Sequence, residues 1–213
     1  MKKMKTVLLC ISLSLLVFAS VIGTLSYLTD TEEVVNTFTV GNVDITLDEA
    51  DVDELGAVIS NDRVKENEYH LIPGGVYVKD PTVTVKKGSE ASYIRMLVTI
   101  SDMNDIKSVF GNTFLPENYV EGYDKAVWKC VKITDNGDDT ATYEFRYKDS
   151  VDKVSDDKVL EPLFEKIKVP GEITGEELAQ ISEMKISVIG NAIQKTGFEN
   201  EDAAWAAFDL QMN

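Results

Sequence analysis

The sequence predicts an all-β protein with short helices, arranged as an antiparallel two-sheet jelly-roll sandwich. Three observations predict it. Apolar and polar residues alternate in short runs. Turn signals built on Gly, Pro and Asn-Gly separate those runs. Strand patterns do not alternate with long helical ones, which disfavours parallel α/β architectures. About seven to nine strands result, a number that suits a sandwich.

The chain opens on an export signal. Met1 to Lys5 is basic, and Val7 to Ile22 is an apolar stretch interrupted by Ser12, Ser14 and Ser20. That suits a signal-peptide core and is short for a membrane span. Thr24 and Ser26 supply the small residues a signal peptidase requires, so cleavage is expected between Ser26 and Tyr27. An uncleaved N-terminal anchor is the alternative. The expected organisation is a signal peptide at 1–26 and one secreted domain at 27–213. Contact with the membrane is then transient, through the signal peptide alone.

Within the domain, Thr37 to Leu47 alternates with a break at Gly41-Asn42. Asp48 to Glu68 is acidic and weakly patterned, and reads as a long loop or an irregular edge. Pro73-Gly74-Gly75 is a turn. Val76 to Val85 alternates again, with Pro81 placing an edge or kink inside it. Tyr93 to Ile100 is a nearly continuous apolar run, expected as a central strand. Asn104 to Phe110 has helical spacing. Val127 to Ile133 and Thr140 to Tyr147 form the clearest hairpin, joined by Asp135 to Asp139 with Asn-Gly at its centre. Lys148 to Lys158 is a charged loop, and Leu163 to Val169 a further strand ended by Pro170-Gly171. Thr174 to Glu177 has capping-box spacing. Met184 to Gln194 is the next strand, and Asn200 to Leu210 a closing amphipathic helix.

Charge narrows the partners. The formal net charge is −16, and losing Lys2, Lys3 and Lys5 with the leader makes the remainder more acidic still. Such a surface repels nucleic acid and anionic lipid, and attracts cations or a basic partner. Of the two cysteines, Cys10 departs with the leader. Cys130 is left without an intramolecular partner and sits in an apolar strand pattern, as an inert half of no disulfide.

Familiar catalytic patterns are missing. A zinc protease of the HExxH type needs two imidazoles one helical turn apart, and His70 is the sole histidine. No serine near His70 lies on a nucleophile elbow. The Asp135 to Asp139 run resembles a calcium loop, yet counting on from Asp135 puts Arg146 where a bidentate Glu belongs. Asp135, Asp138 and Asp139 are therefore weak metal candidates, for a divalent cation such as calcium or zinc. Asp48, Glu49, Asp51, Asp53 and Glu54 are a second acidic group, read as a solvated loop. No catalytic residue and no cofactor is assigned.

Several segments resemble one family. Gly23 to Asp30, then Asn36 to Gly41 and Val43-Asp44-Ile45, resemble the N-terminus of the TasA/camelysin (CalY) family of secreted proteins. Leu71 to Gly74, Lys79 to Val83, Ala192 to Gln194, Gly197-Phe198 and Ala203 to Trp205 resemble its internal and C-terminal segments. The resemblance implies a dedicated signal peptidase, a jelly-roll fold, and a biofilm matrix fibre subunit of a Gram-positive bacterium. It also implies that the N-terminal segment of one subunit completes the sheet of the next. Residues 27–47 are the candidate donor, with Phe38, Val40, Val43 and Ile45 filling pockets while the main chain adds to an open edge. Pairing of Thr37 to Leu47 within its own domain is the alternative. The expected partner is a second copy of the chain, or a related matrix subunit, at the cell surface or in the extracellular matrix. Two rival readings stand beside it: a secreted camelysin-like metalloendopeptidase, and a soluble surface adhesion or binding module.

Overall fold

The computed structural model describes residues 42–111, 114–181 and 183–212. The expected leader, its cut between Ser26 and Tyr27, and Phe38 and Val40 lie outside these residues. Among the described residues no helix is long and apolar enough to cross a membrane.

The strands, in chain order, are β1 (Ile45–Val52), β2 (Val58–Val64), β3 (Val76–Val78), β4 (Thr82–Val85) and β5 (Ser92–Ile100). There follow β6 (Val120–Glu121), β7 (Trp128–Asp135), β8 (Ala141–Tyr147), β9 (Lys158–Val159), β10 (Lys166–Lys168) and β11 (Ile186–Gln194). Among the described residues three α-helices accompany them, α1 (Met103–Phe110), α2 (Gly175–Ala179) and α3 (Glu201–Met212), with a short 3-10 turn at Pro116–Tyr119. The fold is mostly β, and its strands pair antiparallel in three sheets, ordered β2-β1-β4-β9, β3-β10-β6 and β11-β5-β8-β7.

Three sheets stand where two were expected, and Pro81 is the cause. Proline cannot donate to a ladder. The alternation from Val76 to Val85 therefore breaks at Lys79-Asp80-Pro81, so that β3 pairs with β10 while β4 pairs with β1.

β5 organises the core. Its even positions, Ile94, Met96, Val98 and Ile100, are buried on the inner face, as the two-residue period of a strand requires. They join Val83 and Val85 of β4, and Tyr143, Tyr147 and Trp128 of the β7–β8 hairpin, in one apolar cluster. Trp128 satisfies its indole by donating to the Glu161 carbonyl at 2.9 Å, and its ring meets Tyr147 edge-on at 5.1 Å. The hairpin turns as its sequence predicts, with Gly137 at φ +75°.

The odd positions of β5 face outward, and α3 covers Arg95 among them. Arg95 is 4% exposed. It stands opposite Arg146 on β8 and Asn191 on β11. Two cations directly across a ladder repel; carboxylates interleave to offset this. Arg95 donates to Asp209 at 2.5 Å, and Arg146 donates to Glu144 at 2.8 Å and to Asp202 at 2.5 Å. The Arg95 guanidinium also lies 4.4 Å from the Trp205 ring centre and 5.1 Å from that of Phe208. Thus α3 is fastened by Arg95, which is both ion-paired and stacked, and by Arg146 through Asp202.

Of the two expectations for Asp48 to Glu68, the irregular edge is the one found: the segment holds the second half of β1 and all of β2, an antiparallel hairpin at the edge of its sheet whose register shifts between Ala50 and Val52. Asp48, Glu49, Asp51 and Asp53 are partnered, which lets an acidic run lie in a sheet. Arg63 bridges Asp48 at 2.7 Å and Asp80 at 2.6 Å. Asp53 closes the turn by accepting from the amides of Leu55 and Ala57. The strand expected at Leu163 to Val169 is confined to β10, because Leu163 and Phe164 leave the ladder for the core. The capping box on α2 is complete, with Thr174 and Glu177 each bonding the other's amide.

Candidate functional site

A cleft of about 1500 Å³ opens beside the core. One wall is β1 from Ile45 to Glu49, and the other is β11 from Ile186 to Gly190. The segment from Lys65 to Pro73 forms the rim, and Leu178 and Ile181 close one side. The walls meet at Gly190, where an added Cβ would sit 3.5 Å from Val83 and 3.6 Å from Ile45 and Leu47. Ile45, Leu47, Ile186 and Val188 pack on the core yet remain half-buried, so apolar area is left facing the opening. The volume exceeds the few hundred to about 1,000 Å³ of an ordinary small-molecule pocket. An extended stretch of polypeptide suits it better.

Hydrogen bonding makes the same wall distinctive. β11 pairs with β5 along its whole length, from Ile186 opposite Ile100 to Gln194 opposite Ser92. Among the described residues β5 is its one ladder partner. A strand edge of this kind presents alternate amides and carbonyls to whatever lies alongside.

The rim is held by Tyr77. Its hydroxyl accepts from the Ile72 amide at 2.7 Å and donates to the His70 carbonyl at 2.9 Å. Gly75 is required there, since a Cβ would fall 2.4 Å from that hydroxyl oxygen. His70 itself is exposed; its backbone, not its imidazole, is what the rim uses.

Behind the rim lies a buried polar group. Glu49 is 5% exposed and accepts from Lys79 Nζ at 2.6 Å and from Asn67 Nδ2 at 2.8 Å. The Lys79 ammonium also lies 5.6 Å from the Tyr69 ring centre. Burial, and then the Glu49 charge, push the Tyr69 phenol above its ordinary value.

The structure disperses the other candidates. Asp135 accepts from the Gly137 amide, Asp138 from the Thr140 hydroxyl, and Asp139 from the Asn104 amide. The three carboxylates serve the hairpin turn and the start of α1. Among the described residues no group of three or more His, Cys, Asp or Glu is placed to hold a metal ion. Cys130 is half-buried beside a small apolar pocket shared with Tyr123, Tyr143 and Phe145. Burial pushes its thiol up, against nucleophilic use. Val43 lies just ahead of β1. Ile45 is within it, opposite Val85 of β4 in its own sheet.

Sequence reasoning did not bring Glu49, Asn67 and Lys79 together: it read the first two as part of an acidic loop or irregular edge and Lys79 as part of an alternating strand. A signal was present: Glu49 continues the two-residue series Val43, Ile45, Leu47. Comparisons with protein-family models, with curated proteins and with solved structures give no match to this chain.

Proposed function

We propose that this chain is an exported structural protein of jelly-roll type, akin to the TasA/camelysin family. Copies assemble into cell-surface or extracellular matrix fibres when the N-terminal segment of one adds to the sheet of the next. The observation that carries this reading is the β11 edge flanked by a cleft with half-buried apolar walls. A strand added there gains main-chain hydrogen bonds and covers Val188 and Ile186 at once.

The occupant is residues 27–41 of a second copy, since Asn42 and Asp44 are bonded to Glu90, Ser89 and Lys86 of their own chain. That segment runs into β1 at the mouth of the cleft, since Ile45 lines it. Extended at about 3.3 Å per residue, it is long enough to reach a neighbouring molecule. Ile45 stays in its own sheet, and Val43 stays with it between those two anchored residues, so Phe38 and Val40 are the donated side chains. Head-to-tail donation does not close on itself, and so it produces a filament. The acidic charge, −16 over the full chain and more negative once the leader is lost, opposes contact between copies, so salt favours assembly by screening.

Deleting Tyr27 to Val40 tests this. Fibres visible by electron microscopy are expected to vanish while circular dichroism still reports a folded monomer. Val188→Arg, which places a charge on the receiving wall, is expected to act likewise. Undiminished fibres in both variants would reject the reading.

A further inference from the structure

Lys79, Asn67 and Glu49 have an arrangement that an ion pair alone does not require. A buried lysine–glutamate pair is weak support for stability, because desolvating two charges offsets their attraction. Here the pair is 8% and 5% exposed, and a carboxamide is bonded to the same carboxylate. Lys79 Nζ donates to one Glu49 oxygen at 2.6 Å, and Asn67 Nδ2 donates to the other at 2.8 Å. The amide carbonyl of Asn67 is also held, accepting from the Val52 N–H at 3.2 Å. Its Nδ2 donates further to the Ala50 carbonyl at 2.9 Å, which fixes the orientation of the group.

These are the parts of an amide-exchange centre: an amine nucleophile, a carboxamide electrophile with a backbone donor on its oxygen, and a carboxylate touching both nitrogens. We propose that Lys79 and Asn67 join in an intramolecular isopeptide bond, with Glu49 moving the protons. Glu49 takes a proton from the Lys79 ammonium. The freed Nζ lone pair attacks Asn67 Cγ, and the charge that gathers on Oδ1 meets the Val52 N–H. Glu49 delivers its proton to Nδ2, the Cγ–Nδ2 bond breaks, and the Nζ–Cγ bond remains. Of the hydrogens on the two nitrogens, one stays on the new amide and the rest depart as ammonium. Glu49 is returned as a carboxylate, and nothing is oxidised or reduced.

The link would staple Asn67 to Lys79 and so enclose the segment that carries Tyr69 to Pro73, the rim of the cleft. It does not rest on the fibre reading, because it needs no second copy.

Peptide mapping of the purified full chain, folded without any added enzyme, decides the matter. Trypsin acts after Lys65, Lys79 and Lys86. A lysine in an isopeptide bond is not cut, so the wild-type chain is expected to yield peptide 66–86, lighter by one ammonia. Fragment ions should place the link between Asn67 and Lys79. Glu49→Gln, Asn67→Ala and Lys79→Arg are each expected to abolish the mass loss, and cleavage at position 79 returns in all three, since trypsin also cuts after arginine. Circular dichroism checks that each is folded. A wild-type peptide 66–79 of unaltered mass overturns the proposal. An ammonia loss that leaves Lys79 cleavable also overturns it, since that is cyclisation of Asn67 alone.

Discussion

The two four-stranded sheets are built from opposite materials. In β11-β5-β8-β7 the central strand is apolar on its inner face, and α3 covers Arg95 on the outer one. In β2-β1-β4-β9 the strand β1 carries Asp48, Glu49 and Asp51, and its partner β2 leaves Val58 and Ile59 exposed at 55% and 62%. The first sheet is held by what it hides from water. The second is held on its outer half by ion pairs and by side-chain caps on backbone amides. Apolar burial scales with area and tolerates salt, whereas partly exposed ion pairs contribute little and are screened. The two sheets should therefore fail differently.

The largest effect is expected in the first. Trp128 is fully buried against Tyr147, and Trp128→Ala should cost about 3–5 kcal/mol in urea unfolding. Next comes Arg95. Its partner Asp209 is 53% exposed, which softens the penalty of breaking the pair, so Arg95→Ala should cost about 2 kcal/mol. Hydrogen exchange should rise in α3 first. Asp80→Ala tests the second sheet: it frees the Ala50 amide, bonded at 2.6 Å, and leaves Arg63 with Asp48 as its one carboxylate partner among those described. A loss of about 1 kcal/mol is expected, shrinking further in high salt. A loss as large as that of Trp128→Ala would erase the contrast.

Alkali acts on the first sheet through Tyr147 and on the rim of the cleft through Tyr69, and least near neutrality. Burial raises the phenols of Tyr69 and Tyr147, with Glu49 and Glu161 respectively adding to the rise. A group whose folded value is raised lends stability that is whole below its unfolded value and is lost above it. Melting temperature should thus hold steady up to about pH 10 and fall beyond it, as tyrosinate absorbance appears.

The contrast also explains what could be read from the sequence. β5, the β7–β8 hairpin, the α2 capping box and β11 were legible because each is specified locally, by alternation, an Asn-Gly turn or a Thr-x-x-Glu box. The β1–β2 hairpin was not. Its strand character depends on Arg63 and Lys79 neutralising carboxylates, and such pairs form across the fold. The cleft was illegible for the same reason: its walls come from β1 and β11, far apart in the chain.

Tyr77 has a consequence of its own. A single phenol oxygen sets the position of residues 70 and 72 and leaves no room for a side chain at residue 75. The aperture can therefore be tuned independently of the two walls behind it. Tyr77→Phe keeps the ring and removes both tethers, offering an engineer a dial for the doorway that leaves the masonry alone.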